Sequence, residues 1–262
     1  MRPDLIATDL DGTLLRSDGT VSTRSADALR AASDAGIETV LVTARPPRWL
    51  DELGHIVGDH GIALCGNGAF RYDVAGRRVF GERTIDPVVV AEIVTDLREQ
   101  IPGTGFAAER STGLAAENMF AAIHDHPEDL VTTSDIELLR DAPAGKLLAR
   151  NPHLTDEEFI TAATEVVGER GIVAFSGAGG LAEISAVGVT KAAALADWCA
   201  ELGIAASRVW AFGDMPNDLP MLTWAGRSFA VANAHPDVLA AATDTCLAND
   251  EDGVAVVLEG LL

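Results

Sequence analysis

Short apolar runs alternate with amphipathic helical stretches at both ends of the chain, and the alternation fails in between. Leu5 to Leu10 reads as a strand. Residues 12–21 read as a short hairpin with Ser17-Asp18-Gly19 at its turn. Ser22 is a good N-cap for a helix through Ala35, which Gly36 ends. Ile37 to Thr43 is a second buried strand, and Pro46-Pro47 suits the start of a helix to about Val57. Gly61 to Cys65 is a third strand, closed by Gly66-Asn67-Gly68. The pattern resumes late in the chain. A helix covers Thr190 to Leu202, a strand Val209 to Phe212 and a helix Pro216 to Trp224. A strand Ser228 to Val231, a helix Pro236 to Ala242 and a last helix Gly253 to Leu261 follow. Strands separated by helices imply a doubly wound, mostly parallel sheet.

The middle predicts something else. Residues 70–82 look like a hairpin turning at Ala75-Gly76, and Asp86-Pro87 opens a helix to about Gln100. Strand-like runs fall at 104–108, 114–123 and 145–149. Thr155 and Glu158 form a capping box before a helix ending near Gly168. Ile172 to Ser176 and Leu181 to Ser185 are two more strands. A run of strands with two helices is an α+β pattern. The expected organisation is therefore an α/β, Rossmann-like core from residues 1–82 and 183–262, with an inserted α+β domain at 83–182.

Charge and cysteines narrow the function classes. A formal charge of −21 argues against a phosphate backbone or an anionic membrane as partner. The three cysteines, Cys65, Cys199 and Cys246, are scattered in no zinc spacing and no disulfide framework, which suits a reducing cytoplasm. No basic, then apolar, leader is visible, and no apolar run is long enough to span a bilayer. A monomer or homodimer acting on a small molecule is expected.

Four groups of residues fall at strand ends or helix starts of the alternating part. Asp9 and Asp11 sit two apart at the end of the first strand, before Gly12-Thr13. On a strand they would share one side and repel, unless a cation or a shared proton justified them. Thr43 closes the second strand and precedes Ala44-Arg45. Lys191 lies in the first turn of a helix. Gly213-Asp214-Met215-Pro216-Asn217-Asp218 follows the strand at 209–212. In an open α/β sheet the C-terminal strand ends are where ligands bind. Carboxylates there suit a hard divalent cation such as Mg2+, while a lysine, a hydroxyl and backbone N–H groups suit phosphate oxygens. One carboxylate can attack phosphorus and another can serve the leaving oxygen.

This constellation resembles the haloacid dehalogenase-like hydrolase superfamily. It is closest to the Cof-like branch of sugar-phosphate phosphatases, which carry a large α+β cap. The resemblance rests on Asp9-Leu10-Asp11-Gly12-Thr13, Thr43, Cys65-Gly66-Asn67-Gly68-Ala69 and Glu183-Ile184 followed by Gly188-Val189-Thr190-Lys191. It rests further on Gly213-Asp214 with Asn217-Asp218, Met221-Leu222, and Asn249-Asp250 with Asp252-Gly253-Val254-Ala255. It implies that Asp9 is the nucleophile, forming an aspartyl-phosphate, and that Asp11 protonates the leaving alcohol and then activates water. It implies Mg2+ on the Asp9 carboxylate, the Asp11 carbonyl and Asp214. Thr43, the Ala44 amide, Lys191 and Asn217 would hold the phosphoryl group, and Asp218 would support the metal's water shell or orient Lys191. The insert would be the cap that chooses the substrate. One departure is Ala192, where the branch often has glycine. It adds a methyl without disturbing the lysine head group.

Other readings compete. A phosphomannomutase-like mutase would return phosphate to the bound sugar. A non-catalytic regulator could bind a phosphometabolite, but it would have no need to keep Asp9, Asp11, Lys191 and Asp214 together. A dehalogenase does not need the metal acids. A phosphonatase needs a Schiff-base lysine in its cap, and nothing in the sequence marks Lys146 as one. His124-Asp125-His126 lacks a third ligand at a recognised spacing and reads as a surface loop.

Overall fold

The computed structural model describes residues 2–53, 61–123, 131–133, 142–175 and 180–261. They fall into two compact units, Met1–Gly81 with Lys191–Leu262, and Glu82–Thr190. The first unit begins with β1 (Leu5–Thr8), α1 (Thr23–Asp34), β2 (Glu38–Val42), β3 (Ile62–Cys65), β4 (Phe70–Asp73) and β5 (Arg78–Glu82). Ser22 caps α1 by accepting the Ser25 N–H at 3.0 Å.

Two expectations here are corrected. No hairpin strands form between residues 12 and 21, although the expected turn at Ser17-Asp18-Gly19 is present, with the Arg16 N–H donating to the Thr20 carbonyl at 2.9 Å. Leu10–Leu14 coils into a helical turn. Ser17 N–H donates to Asp250 at 2.9 Å, and Asn249 donates to the Leu15 carbonyl at 2.8 Å. After Pro46 the chain makes two short 3₁₀ turns, Pro47–Trp49 and Asp51–Leu53. The rest of the helix expected to about Val57 lies outside the described residues.

The second unit comprises α2 (Pro87–Gln100), β6 (Gly105–Arg110), β7 (Gly113–Glu117), α3 (Asn118–Ile123), β8 (Val131–Thr133), β9 (Lys146–Arg150), α4 (Asp156–Val167), β10 (Ile172–Ala174) and β11 (Leu181–Ser185). Its sheet runs β10-β11-β9-β6-β7-β8. The capping box of Thr155 and Glu158 is formed at the start of α4. One sheet face presents Phe106, Ala108, Leu147, Ala149, Ala182 and Ile184 to apolar residues of α2 and α4. The opposite face gathers Ala107, Leu114, Ala116, Leu148 and Leu181 with Phe120 of α3. The strand expected to continue to residue 123 is helical from Asn118. Gly105 makes room for this helix, since a Cβ there would stand 2.7 Å from the Phe120 backbone nitrogen. The boundary expected between residues 182 and 183 falls inside β11, which pairs antiparallel with β9 and β10. The unit therefore extends to Thr190.

The first unit resumes with α5 (Lys191–Leu202), β12 (Val209–Gly213), α6 (Leu219–Trp224), β13 (Arg227–Val231), α7 (Pro236–Ala241), β14 (Asp244–Cys246) and α8 (Gly253–Glu259). Its eight strands are ordered β14-β13-β12-β1-β2-β3-β4-β5. Pairing is parallel from β14 to β3, and β4 turns antiparallel to β3. Every residue of β1 and β12 is buried, as strands covered on both faces require. Leu5, Ala7, Val40, Val42 and Leu64 pack with Leu195 and Cys199 of α5 and with Met221 and Leu222 of α6. Chain order runs outward from β1 in both directions, so β1 marks the switch point of the sheet. The crevice at its C-terminal end is where such sheets bind ligands.

Candidate active site

Asp9 is the first residue after β1, and its N–H donates to the Phe212 carbonyl of β12 at 3.0 Å. This tie carries Asp9 one step beyond the strand while keeping it extended and buried. The chain then leaves strand geometry. Gly12 has φ +74°, and a Cβ on it would collide with the Asp214 carboxylate. The expectation that Asp9 and Asp11 share one side of a strand is therefore corrected. The Asp11 side chain, 57% exposed, turns to Arg45, which grips it from Nε at 2.8 Å and Nη2 at 2.7 Å.

Lys191 begins α5 and is buried. Its Nζ donates to Asp9 Oδ1 and to Asp218 Oδ1, both at 2.7 Å. The other oxygen of Asp218 accepts the N–H groups of Asp214 and Met215, each at 3.1 Å. Asp218 is thus fully engaged in holding the lysine and the loop after β12. Asp214 is positioned from the opposite side, its Oδ1 accepting the Thr13 hydroxyl at 2.9 Å. Asp9, Asp214 and Asp218 each offer an oxygen within 4.8 Å of the others.

Thr43 lies just past β2, buried, and its hydroxyl accepts the Arg45 N–H at 3.0 Å. The segment Thr43-Ala44-Arg45 is pinned to the turn after β3. Thr43 O accepts from Asn67 and Arg45 O accepts from Gly66. Asn67 adopts φ 58°, a left-handed conformation that asparagine tolerates, and its Oδ1 accepts from Asn217 Nδ2 at 3.4 Å. The Asn217 Oδ1 is buried without a hydrogen-bond partner. Gly66-Asn67-Gly68 is therefore more than a turn, because it ties the Thr43 and Asn217 loops together.

Three carboxylates face one ammonium in this space, an excess of buried negative charge. Burial, reinforced by Asp218 and Asp214, pushes the Asp9 carboxyl well above its ordinary value, against the pull of Lys191. Burial and the Asp218 charge raise Asp214 to about 6. Burial opposes the charge on Lys191, but Asp218 and Asp9 together raise it above the usual lysine value. A divalent cation would remove the imbalance, and the donor set is the all-oxygen one that Mg2+ takes. The hydrogen bonds of Asp218 leave Asp9 and Asp214 as the carboxylates fit to hold it. The Asp11 carboxylate lies outside the buried group.

Thr13, Arg45 and Asn67 position these residues without having been assigned roles from the sequence. Thr13 and Asn67 lay inside quoted motifs, whereas only the fold reveals the Arg45 fork on Asp11. His124-Asp125-His126 lies outside the described residues. Among the described residues no helix is long and apolar enough to cross a membrane.

A model of haloacid dehalogenase-like hydrolases matches residues 6–258. YxeH of Bacillus subtilis is 32% identical over 272 residues, covering 98% of this chain and 98% of that protein. The 5-amino-6-(5-phospho-D-ribitylamino)uracil phosphatase YcsE of the same organism is 30% identical over 251 residues, covering 96% of this chain and 92% of that protein. A solved haloacid dehalogenase-like hydrolase from B. subtilis superposes with a TM-score of 0.85 at 25% identity, covering 99% of this chain and 100% of that one. With its β1 carboxylate site and a second, largely antiparallel sheet, the chain belongs to the haloacid dehalogenase-like hydrolase family, in the Cof-like branch of phosphatases.

Proposed function

We propose that the protein hydrolyses a small phosphorylated metabolite of the sugar-phosphate kind, with Mg2+, through a phospho-Asp9 intermediate. The observation that carries this reading is the contact of Lys191 with Asp9, 2.7 Å, at the end of the central strand and beside Asp214. Lys191 fixes one Asp9 oxygen and leaves the other to meet phosphorus. The name of YcsE, a phosphatase of a ribityl phosphate, supports the substrate class.

In the first half-reaction an Asp9 oxygen bonds to phosphorus while the ester oxygen leaves with a proton from Asp11. In the second, Asp11 takes a proton from water as that water attacks phosphorus, which frees Asp9 and phosphate. Lys191, the Thr43 hydroxyl, the Ala44 amide and Asn217 hold the phosphoryl oxygens. Asn217 would do so through its Nδ2 donor, which the long 3.4 Å contact with Asn67 Oδ1 holds only loosely. The Arg45 fork keeps the Asp11 carboxylate apart from the buried acids until the leaving oxygen replaces it. Asp218 orients Lys191. Mg2+ on Asp9, Asp214 and the Asp11 carbonyl would neutralise charge on the transferring group. The second unit, as the cap, would choose the substrate.

A panel of phosphate esters, screened with and without Mg2+, tests the reading. Turnover that requires Mg2+ and disappears in Asp9→Asn supports it. Near wild-type activity in purified, folded Asp9→Asn would sink it. Measuring free phosphate against isomerised sugar phosphate separates a hydrolase from a mutase.

A further inference from the structure

Asp11 and Asp214 belong to different loops, and one exposed side chain from a third loop ties those two together. Asn233 lies in the loop after β13. Its Nδ2 donates to the Gly12 carbonyl at 2.8 Å, and its Oδ1 accepts the Asn249 N–H at 3.0 Å. Two residues on, the His235 N–H donates to the Asp214 carbonyl at 2.8 Å. One short loop therefore grips both the turn that follows Asp11 and the main chain of Asp214. Asn249 extends the tie, since its own Nδ2 donates to the Leu15 carbonyl at 2.8 Å. Both ends of the Leu10–Leu14 turn are thus held by asparagine amides.

The Asn233 amide fits one way round. Flipped, it would set its oxygen against the Gly12 carbonyl oxygen and its NH2 against the Asn249 N–H. The tie also falls where the site is tightest. Gly12 stands against the Asp214 carboxylate, and the next residue, Thr13, donates its hydroxyl to Asp214 Oδ1 at 2.9 Å. The Gly12–Thr13 peptide that Asn233 holds therefore joins the two residues in contact with Asp214. The Asp11 carbonyl belongs to the peptide just before it. Stability alone explains this tie poorly. Asn233 is exposed, and water readily replaces the hydrogen bonds of an exposed side chain. Reacting groups, in contrast, tolerate little displacement.

We propose that Asn233 is a positioning residue for the site at β1. Its amide sets the Gly12–Thr13 peptide, and through it the Asp11 carbonyl and the Asp214 carboxylate, while Asn249 orients the amide. The inference rests on the phosphatase reading above and adds a residue that is not among the phosphate or metal ligands of that reading.

The test compares wild type, Asn233→Leu and Asn233→Ser, with Ser17→Ala as control. Leucine keeps the shape of the side chain without either hydrogen bond, and serine is too short to reach Gly12. The Ser17 hydroxyl donates to Asp250 Oδ2 at 2.7 Å, so the control removes a different exposed tie beside Asn249. Calorimetry measures Mg2+ binding to the free protein, and kinetics with phenyl phosphate give kcat and KM. Both Asn233 variants should bind Mg2+ about tenfold more weakly and lose about tenfold in kcat, the scale of one hydrogen bond. KM should stay within about twofold, because Thr43, Lys191 and Asn217 are held by other contacts. Ser17→Ala should match wild type in all three, and thermal midpoints should fall by similar small amounts in every variant. Mg2+ affinity within about twofold of wild type in Asn233→Ser overturns the proposal, as does an equal loss in Ser17→Ala. If Asn233→Leu fails to fold, Asn233→Ser alone decides. If wild type binds Mg2+ but turns over no ester, calorimetry decides. Weaker binding in Asn233→Ser then upholds the positioning role while the phosphatase reading fails. If wild type neither binds Mg2+ nor turns over an ester, both fall.

Discussion

Arg45 holds Asp11 by two parallel hydrogen bonds, Nε to Oδ2 at 2.8 Å and Nη2 to Oδ1 at 2.7 Å. The fork keeps the second acid of the Asp9-Leu10-Asp11 segment out of the buried carboxylate group. A lysine cannot reproduce that planar two-point grip. Arg45→Lys should therefore lower kcat by about tenfold, the scale of one charge-assisted hydrogen bond. Apparent Mg2+ affinity should change little, because the Asp11 side chain is not among the clustered acids. Steady-state kinetics across a Mg2+ titration checks both. A variant that loses only Mg2+ affinity would contradict this division.

Lys191 is the sole cation contacting Asp9 and Asp218, at 2.7 Å to each, among the described residues. Lys191→Met should leave buried carboxylates without their ammonium. Breaking a buried pair in this way is destabilising by about 3–5 kcal/mol. Urea unfolding without Mg2+ should show that loss, and Mg2+ should restore part of it. Turnover should be lost under both conditions. Wild-type stability in Lys191→Met would mean that the carboxylates are already neutral.

Much of the core was readable because periodicity and caps act locally. Ser22, Asp86-Pro87 and the Thr155–Glu158 box mark helix starts that the structure shows. β14 was missed because three residues, Asp-Thr-Cys, carry no periodic signal. Residues 118–123 misled for a different reason. Their helix depends on space left by Gly105, which is distant in sequence. The strand ends located the candidate acids, but the separation of Asp9 from Asp11 depends on Gly12 and on Arg45.

Gly12 meets two demands at once. Its φ of +74° is a region that residues with a Cβ rarely adopt, and its open side lies against the Asp214 carboxylate. Gly12→Ala should displace Asp214 and weaken Mg2+ binding. It should also destabilise the protein by roughly 1–3 kcal/mol, the range for a strained backbone residue. Gly19→Ala is the control, since its φ of +79° is similar and nothing stands within 4 Å of its added Cβ. Both variants should lose stability, but only Gly12→Ala should lose Mg2+-dependent activity. Equal losses of activity would remove Asp214 from the explanation.

Asp214 links stability to pH and to metal. Its carboxyl is raised from the ordinary 3.8 to about 6, chiefly by burial and then by the Asp218 charge. The folded state therefore holds a proton that the unfolded state has already released between those two values. Stability from this group is largest below the unfolded pKa and declines as pH rises through about 6. Asp9 shifts in the same direction. A cation on these oxygens competes with the proton, so Mg2+ should stabilise little at pH 5 and much more at pH 7.5. Thermal unfolding at both pH values, with and without Mg2+, checks the trend. The increment should also vanish in Asp214→Asn at either pH. A Mg2+ increment that is equal at pH 5 and pH 7.5 would place the cation on oxygens other than those of Asp9 and Asp214.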